Sequence, residues 1–103
     1  SRSCLQTCLD YGLACLDEDL FFVNHCAALG TIFTCKACEP GHGAALPGQV
    51  TALGDDQDGL CLFDVSSTLA PKCNEQQDGL RRVCACRPIS AGSGQLSLFS
   101  QDG

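Results

Sequence analysis

The chain has 103 residues, an apolar share of 45%, a formal charge of -6 and ten cysteines. That length holds one domain with a small core, and the acidic balance disfavours nucleic acid and anionic membranes as partners while leaving neutral or basic ones open. No run approaches the ~18 uninterrupted apolar residues of a membrane span and no cationic leader opens the chain, so no membrane insertion is expected; if secreted, the chain has lost its signal peptide or is one module of a longer polypeptide.

In chain order, Ser3 followed by Gln6 has the form of a capping box, and Gly12 is placed to stop a helix, which predicts a short helix near 4–11. Cys4 and Cys8 then share one helical face, ~6 Å apart along the axis. Such a helix is too short to be stable alone, so packing through Leu5 and Leu9 and two bridges are expected to hold it. Cys15 follows in the connection. Asp17, Glu18 and Asp19 put negative charge where it complements a helix dipole, and a second helix is predicted over 18–29. Leu20, Phe21, Val23, Ala27, Ala28 and Leu29 would form its buried side, with Cys26 on it and Gly30 as the stop. The β-branched and aromatic run T-I-F-T-C at 31–35 predicts a strand, with Cys38 after a tight turn.

Residues 39–59 turn to Gly, Pro, Ala and Asp and predict a long irregular loop. Loops of that length often carry function, so a binding surface is expected there, with His42, Leu46 and Gln49 as candidate contacts. One tyrosine and no tryptophan leave few platforms for sugar stacking, which favours a protein partner over a glycan. The tetrapeptide Q-D-G-L occurs at 57–60 and again at 77–80, each time ahead of an apolar or cysteine-bearing run. Asp-Gly is a turn signal, so each is expected to launch a strand by shared turn chemistry, and a third Q-D-G closes the chain at 101–103. The second strand, L-R-R-V-C-A-C-R at 80–87, points Cys84 and Cys86 the same way, ~6.6 Å apart. This spacing matches the Cys4/Cys8 ladder, so the first helix is expected to be riveted twice to the last strand, with the direction of pairing left open by geometry. A module over 1–87 is followed by a tail over 88–103, linker-like through 88–94, in which Leu96, Leu98 and Phe99 offer an edge strand.

Ten cysteines among 103 residues is the density of an oxidised, secreted scaffold, and the even number fits five bridges, although about 945 pairings are possible. Cys35-Lys36-Ala37-Cys38 has the form of a dithiol oxidoreductase motif, but Glu39-Pro40-Gly41 after it cannot open the helix that would activate a thiol. Zinc is disfavoured because an oxidising compartment converts such thiol pairs to disulfides. Asp55, Asp56, Asp58 and Asp64 lack the spacing of an EF-hand and read as a solvated acidic turn. His25 and His42 sit on different elements with no nucleophile poised beside them. Asn24-His25-Cys26 is the rare cysteine form of the glycosylation sequon, silent if Cys26 is bridged early.

The cysteine spacing also carries a resemblance. C-x3-C-x6-C at Cys4, Cys8 and Cys15, then Asn24, T-C at Cys35, C-x-F at 61–63 and C-x10-C-x-C at Cys73, Cys84 and Cys86 resemble the cysteine-rich C-terminal region of the alpha-1,6-mannosylglycoprotein 6-beta-N-acetylglucosaminyltransferases (N-acetylglucosaminyltransferase V). Leu13 before Cys15, Phe21 and Phe22 ahead of Asn24, R-V-C-A-C-R at 82–87 and G-Q-L at 94–96 agree with it, over roughly residues 3 to 96. In that family the catalytic residues lie in a larger upstream domain, so the resemblance carries over no catalytic, cofactor or metal residue. This chain departs from the pattern in having Cys26 and Cys38, one more residue between Cys61 and Cys73, and no cysteine pair in its tail. The resemblance implies Cys4–Cys84, Cys8–Cys86, Cys15–Cys73 and Cys35–Cys61, which leaves Cys26 with Cys38. The expectation is a small disulfide-rich α+β fold, two short N-terminal helices stapled to a small antiparallel sheet. Its expected role is non-catalytic recognition of protein or glycan, or structural assembly, in the extracellular space or secretory lumen. The alternatives are an accessory domain of a secretory-pathway glycosyltransferase and, behind it, a defence peptide or inhibitor; the oligomeric state is left open.

Overall fold

A computed structural model of the chain describes residues 2–66, 68–89 and 95–101. The fold is a small disulfide-rich α+β domain built around β5 (Leu80–Pro88), the longest strand. Helix α1 (Cys4–Asp10) starts at Ser3, whose hydroxyl accepts from Gln6 N–H while the Gln6 side chain accepts from Ser3 N–H, so the capping box forms. Its buried face is Cys4, Thr7 and Cys8. Leu5 and Leu9, expected to pack, are exposed, because the face is chosen by the two bridges to β5. Cys4–Cys84 and Cys8–Cys86 join helix to strand at Cα separations of 5.3 and 5.4 Å, one turn of helix matching two residues of strand. Cys15–Cys73, Cys26–Cys38 and Cys35–Cys61 complete the five, and no cysteine is free.

The predicted helix over 18–29 divides into a 3-10 helix (Asp17–Val23) and α2 (Cys26–Ile32). Asn24 breaks it. Its side-chain amide donates to Asp64 O at 2.9 Å and accepts from Asp64 N–H at 2.7 Å, which ties the residue to a segment forty positions away. Side chains that bond backbone in this way compete with helix continuation. His25 then caps α2 by accepting from Ala28 N–H. Leu20, Val23, Ala28 and Leu29 are buried as expected, whereas Phe21 and Ala27 face solvent. The strand expected at 31–35 does not form: Thr31 and Ile32 are the last turn of α2, with the Thr31 hydroxyl donating to Ala28 O.

Strands β1 (Leu13–Ala14), β2 (Cys38–Gly41), β3 (Gly48–Val50) and β4 (Cys61–Asp64) line up with β5 in the order β1-β5-β3-β4-β2, and β6 (Ser97–Ser100) pairs with β5 as well. The sheet is mixed rather than antiparallel. The chain reverses between β2 and β3 and again between β3 and β4, so β4, lying between them, runs parallel to β2. Both Q-D-G-L turns lead into strands, and their glycines adopt the left-handed backbone, Gly59 at φ 88° and Gly79 at φ 78°. Leu98 and Phe99 pack on the core, with the Phe99 ring stacked on Tyr11 at 4.1 Å. Residues 90–94 of the linker-like stretch, Gly94 of the G-Q-L motif and Asp102-Gly103 of the closing Q-D-G lie outside the described residues.

One core holds Leu20, Val23, Leu29, Phe33, Val83 and Ala85 with the bridges, and a smaller one gathers Ala45, Leu46 and Leu80. Two arginines of β5 fasten the loops to this frame. Arg87 donates from Nε and a terminal nitrogen to both oxygens of the fully buried Asp19, at 2.6 and 2.5 Å, which fixes the 3-10 helix. Arg82, at 0% exposure, donates to the carbonyls of Lys72 and Glu75 at 2.6 and 2.7 Å and to those of Ala44 and Leu46 at 3.5 Å. Five disulfides suit an oxidising compartment. No helix among the described residues is long and apolar enough to cross a membrane.

Candidate functional site

The segment expected to be an irregular loop contains β2 and β3, joined by a connection over 42–47 that holds a cis Leu46-Pro47 peptide, and the longer irregular stretch is 51–60. Of the three contacts expected there, His42 is exposed. Leu46 is buried against Ala45, Leu80, Val50 and Leu62, so its side chain serves the small core instead of a partner. Gln49 spends its amide N–H groups on Thr34 O at 2.9 Å and Gly59 O at 3.3 Å and braces the loop base.

The loop presents a residue the sequence reasoning passed over. Leu53 is 96% exposed at the tip of 51–60. Asp55 N–H donates to Ala52 O at 2.9 Å, and Gly54 takes φ 82°, so Leu53 and Gly54 are the central residues of a β-turn that holds the leucine outward. The turn stands on a hydrogen-bonded frame. Thr51 N–H reaches Gly79 O and Gly59 N–H reaches Val50 O, both at 2.8 Å, while Asp58 Oδ1 accepts from Ala52 N–H and Asp55 Oδ1 from Gln57 N–H, both at 2.9 Å. The Lys36 ammonium binds Asp56 O, and Cys35–Cys61 staples the base. A lone leucine inside T-A-L-G-D-D was the available signal: an apolar side chain surrounded by turn formers has no strand or helix to hide in.

The electrostatics of the tip are acidic, with Asp55 and Asp56 exposed beside Leu53. The carboxylates do not converge. Asp55 and Asp58 cap the loop's own turns, and Asp64 accepts from Gly43 and Ser66 N–H at the far end of β4. Among the described residues there is no group of three or more His, Cys, Asp or Glu side chains arranged to hold a metal ion. Cys35 and Cys38 belong to different bridges, so the C-x-x-C motif is not a dithiol. His25 uses both ring nitrogens on backbone, accepting at Nδ1 from Ala28 N–H and donating from Nε2 to Phe22 O at 2.9 Å.

A concavity of about 490 Å³ lies beside the Cys15–Cys73 bridge, between Leu5, Asp17, Lys72 and Glu75. Its charges largely answer each other: Lys72 and Asp17 approach to 3.9 Å and Asp17 Oδ1 accepts from Cys73 N–H, so it offers little apolar wall to a ligand. No family model matches the chain, and no curated protein matches it.

Proposed function

We propose that the chain is a non-catalytic module of the extracellular space or secretory lumen that recognises another protein through the 51–60 loop. The observation carrying this is Leu53, 96% exposed on a backbone already fixed by its own hydrogen bonds. An exposed leucine on a preformed turn can enter a partner's pocket with little cost of loop ordering. Asp55 and Asp56 beside it favour a basic rim on the partner and disfavour an acidic one. The reading also rests on what named polar groups do: the ten cysteines form bridges, Asp17, Asp55 and Asp58 accept from backbone N–H groups, and His25 caps a helix.

The test is a pull-down from extracellular material with the protein and its Leu53→Asp variant, followed by a titration of any captured protein against both. Capture by the native chain and at least tenfold weaker binding by the variant is expected. Equal binding by the two, exclusive binding on a glycan array, or sugar transfer from a nucleotide donor by the chain would each sink the proposal. A second reading, an accessory region of a secretory-pathway glycosyltransferase, is favoured by the four bridges that the family resemblance implied, all of which form. Several hundred residues of α/β sequence upstream in the parent gene would support that reading.

A further inference from the structure

The five bridges are unequally sheltered. Cys4, Cys8, Cys61, Cys84 and Cys86 are fully buried, Cys15 and Cys73 nearly so, and Cys35 and Cys38 half-buried; Cys26, at the start of α2, is exposed. Exposed disulfides are the ones that thiols reach, and they tend to be the labile members of a set. The partner of Cys26 is also placed beside another bridge. Cys38 and Cys61 are Cα partners in the parallel β2–β4 pair, and Cys61 N–H donates to Ala37 O at 2.8 Å. Neighbouring strands lie ~4.8 Å apart and opposed residues project to the same face, so the Cys26–Cys38 and Cys35–Cys61 bridges lie side by side. That separation falls within the ~4.4–6.8 Å Cα range a disulfide accepts. The β2–β4 pairing is therefore already compatible with a Cys38–Cys61 bond.

We infer that Cys26–Cys38 is an exchangeable disulfide, a site for attack by an external dithiol, and that opening it passes a bridge across the strand pair to Cys38–Cys61. In the first step a thiolate of the dithiol attacks Cys26 Sγ. The Cys26–Cys38 bond breaks, the dithiol is joined to Cys26 as a mixed disulfide, and Cys38 leaves as a thiolate. Cys38 then attacks Cys61 Sγ, forming Cys38–Cys61 and expelling Cys35 as a thiolate. The second thiol of the dithiol attacks the mixed disulfide, leaves as a cyclic disulfide and releases Cys26. The two protons of the dithiol end on Cys26 and Cys35; the dithiol is oxidised and the protein is reduced by one bridge. Attack on Cys35 instead would expel Cys61, whose site is fully buried and penalises a thiolate, whereas Cys35 is half-buried and adjoins Lys36. The exchange frees Cys35 from the base of the 51–60 loop, so a reducing partner would loosen the element that presents Leu53.

The experiment treats the native protein with one molar equivalent of dithiothreitol near pH 8, alkylates with N-ethylmaleimide and maps peptides without reduction. The expected first product carries label on Cys26 and Cys35 and a Cys38–Cys61 cross-link. Label on Cys26 and Cys38 with Cys35–Cys61 intact overturns the transfer, and first label on any other pair overturns the site. The double variant Cys26→Ser/Cys38→Ser gives a separate check, with its fold verified by circular dichroism. Its first labelling is expected to be at least tenfold slower than that of the native chain, and an unchanged rate would also overturn the inference.

Discussion

Replacing Arg82 by methionine keeps most of the side-chain volume and removes the guanidinium from the one place in β5 where a charge is wholly buried. Two opposing magnitudes decide the outcome. Burial lowers the Arg82 pKa from its ordinary value to about 10, with Glu75 and Asp17 opposing the fall through space. At about 1.4 kcal/mol per tenfold change, holding the charge there costs about 3 kcal/mol. Against this stand two short bonds to Lys72 O and Glu75 O, worth about 2–3 kcal/mol each for a charged donor, and two long ones to Ala44 O and Leu46 O worth about 0.5 kcal/mol each. The bonds win by about 2–4 kcal/mol, so Arg82→Met should lower the stability by that amount. Guanidinium chloride unfolding followed by circular dichroism, with the bridges intact and an unchanged m-value, measures it. The sign with pH is a second check. Because the folded pKa lies below the unfolded one, the penalty is complete below about pH 10 and fades as pH rises above it, so the native chain should gain on the variant there. A variant as stable as the native protein, or more so, would refute the reasoning and make the buried charge a net liability.

Asn24→Ala leaves Asp64 N–H and C=O without their partner and should cost about 2–3 kcal/mol, measured in the same unfolding assay; a change under about 0.5 kcal/mol would mean that water replaces the amide. Gly48→Ala would set a Cβ 2.6 Å from Arg81 O and 3.1 Å from Leu80 Cγ, both in β5, and should lose about 3 kcal/mol or fail to accumulate as folded protein. Excess reductant should abolish both far- and near-ultraviolet circular dichroism. Bridges spanning 58 to 80 residues contribute about 2–4 kcal/mol each, comparable with the whole margin of a small domain, and a surviving cooperative melt would contradict this. Leu53→Asp should leave the melting curve unchanged, because the side chain touches almost nothing, and its effect should be confined to binding.

The candidate site was half legible. A loop in this stretch follows from its Gly, Pro and Asp content, and Asp-Gly turns announce themselves because the conformations they need are intrinsic to the residues. Which side chains the loop offers does not follow. Leu46, just ahead of β3, and Gln49, within it, are consumed by a core and a hydrogen-bond frame whose distant members lie at 34, 59, 62 and 80. Leu53 stands out only when those are subtracted.

What the sequence determined by itself is local or periodic: the Ser3/Gln6 capping box, the left-handed glycines of the two Q-D-G-L turns, and the matched Cys4/Cys8 and Cys84/Cys86 ladders. A helical i,i+4 pair and a strand i,i+2 pair have nearly the same rise, and that fit alone brings α1 to β5. The tertiary structure decided what depends on partners far along the chain. Asn24 splits a helix because Asp64 is there to bind it, and Arg82 is buried because loops at 44–46 and 72–75 turn their carbonyls toward it. The parallel β2–β4 pair follows from two reversals that place β4 between its neighbours. Such contacts join residues with no common pattern in sequence; they are selected by the need to satisfy buried polar groups once the core has closed.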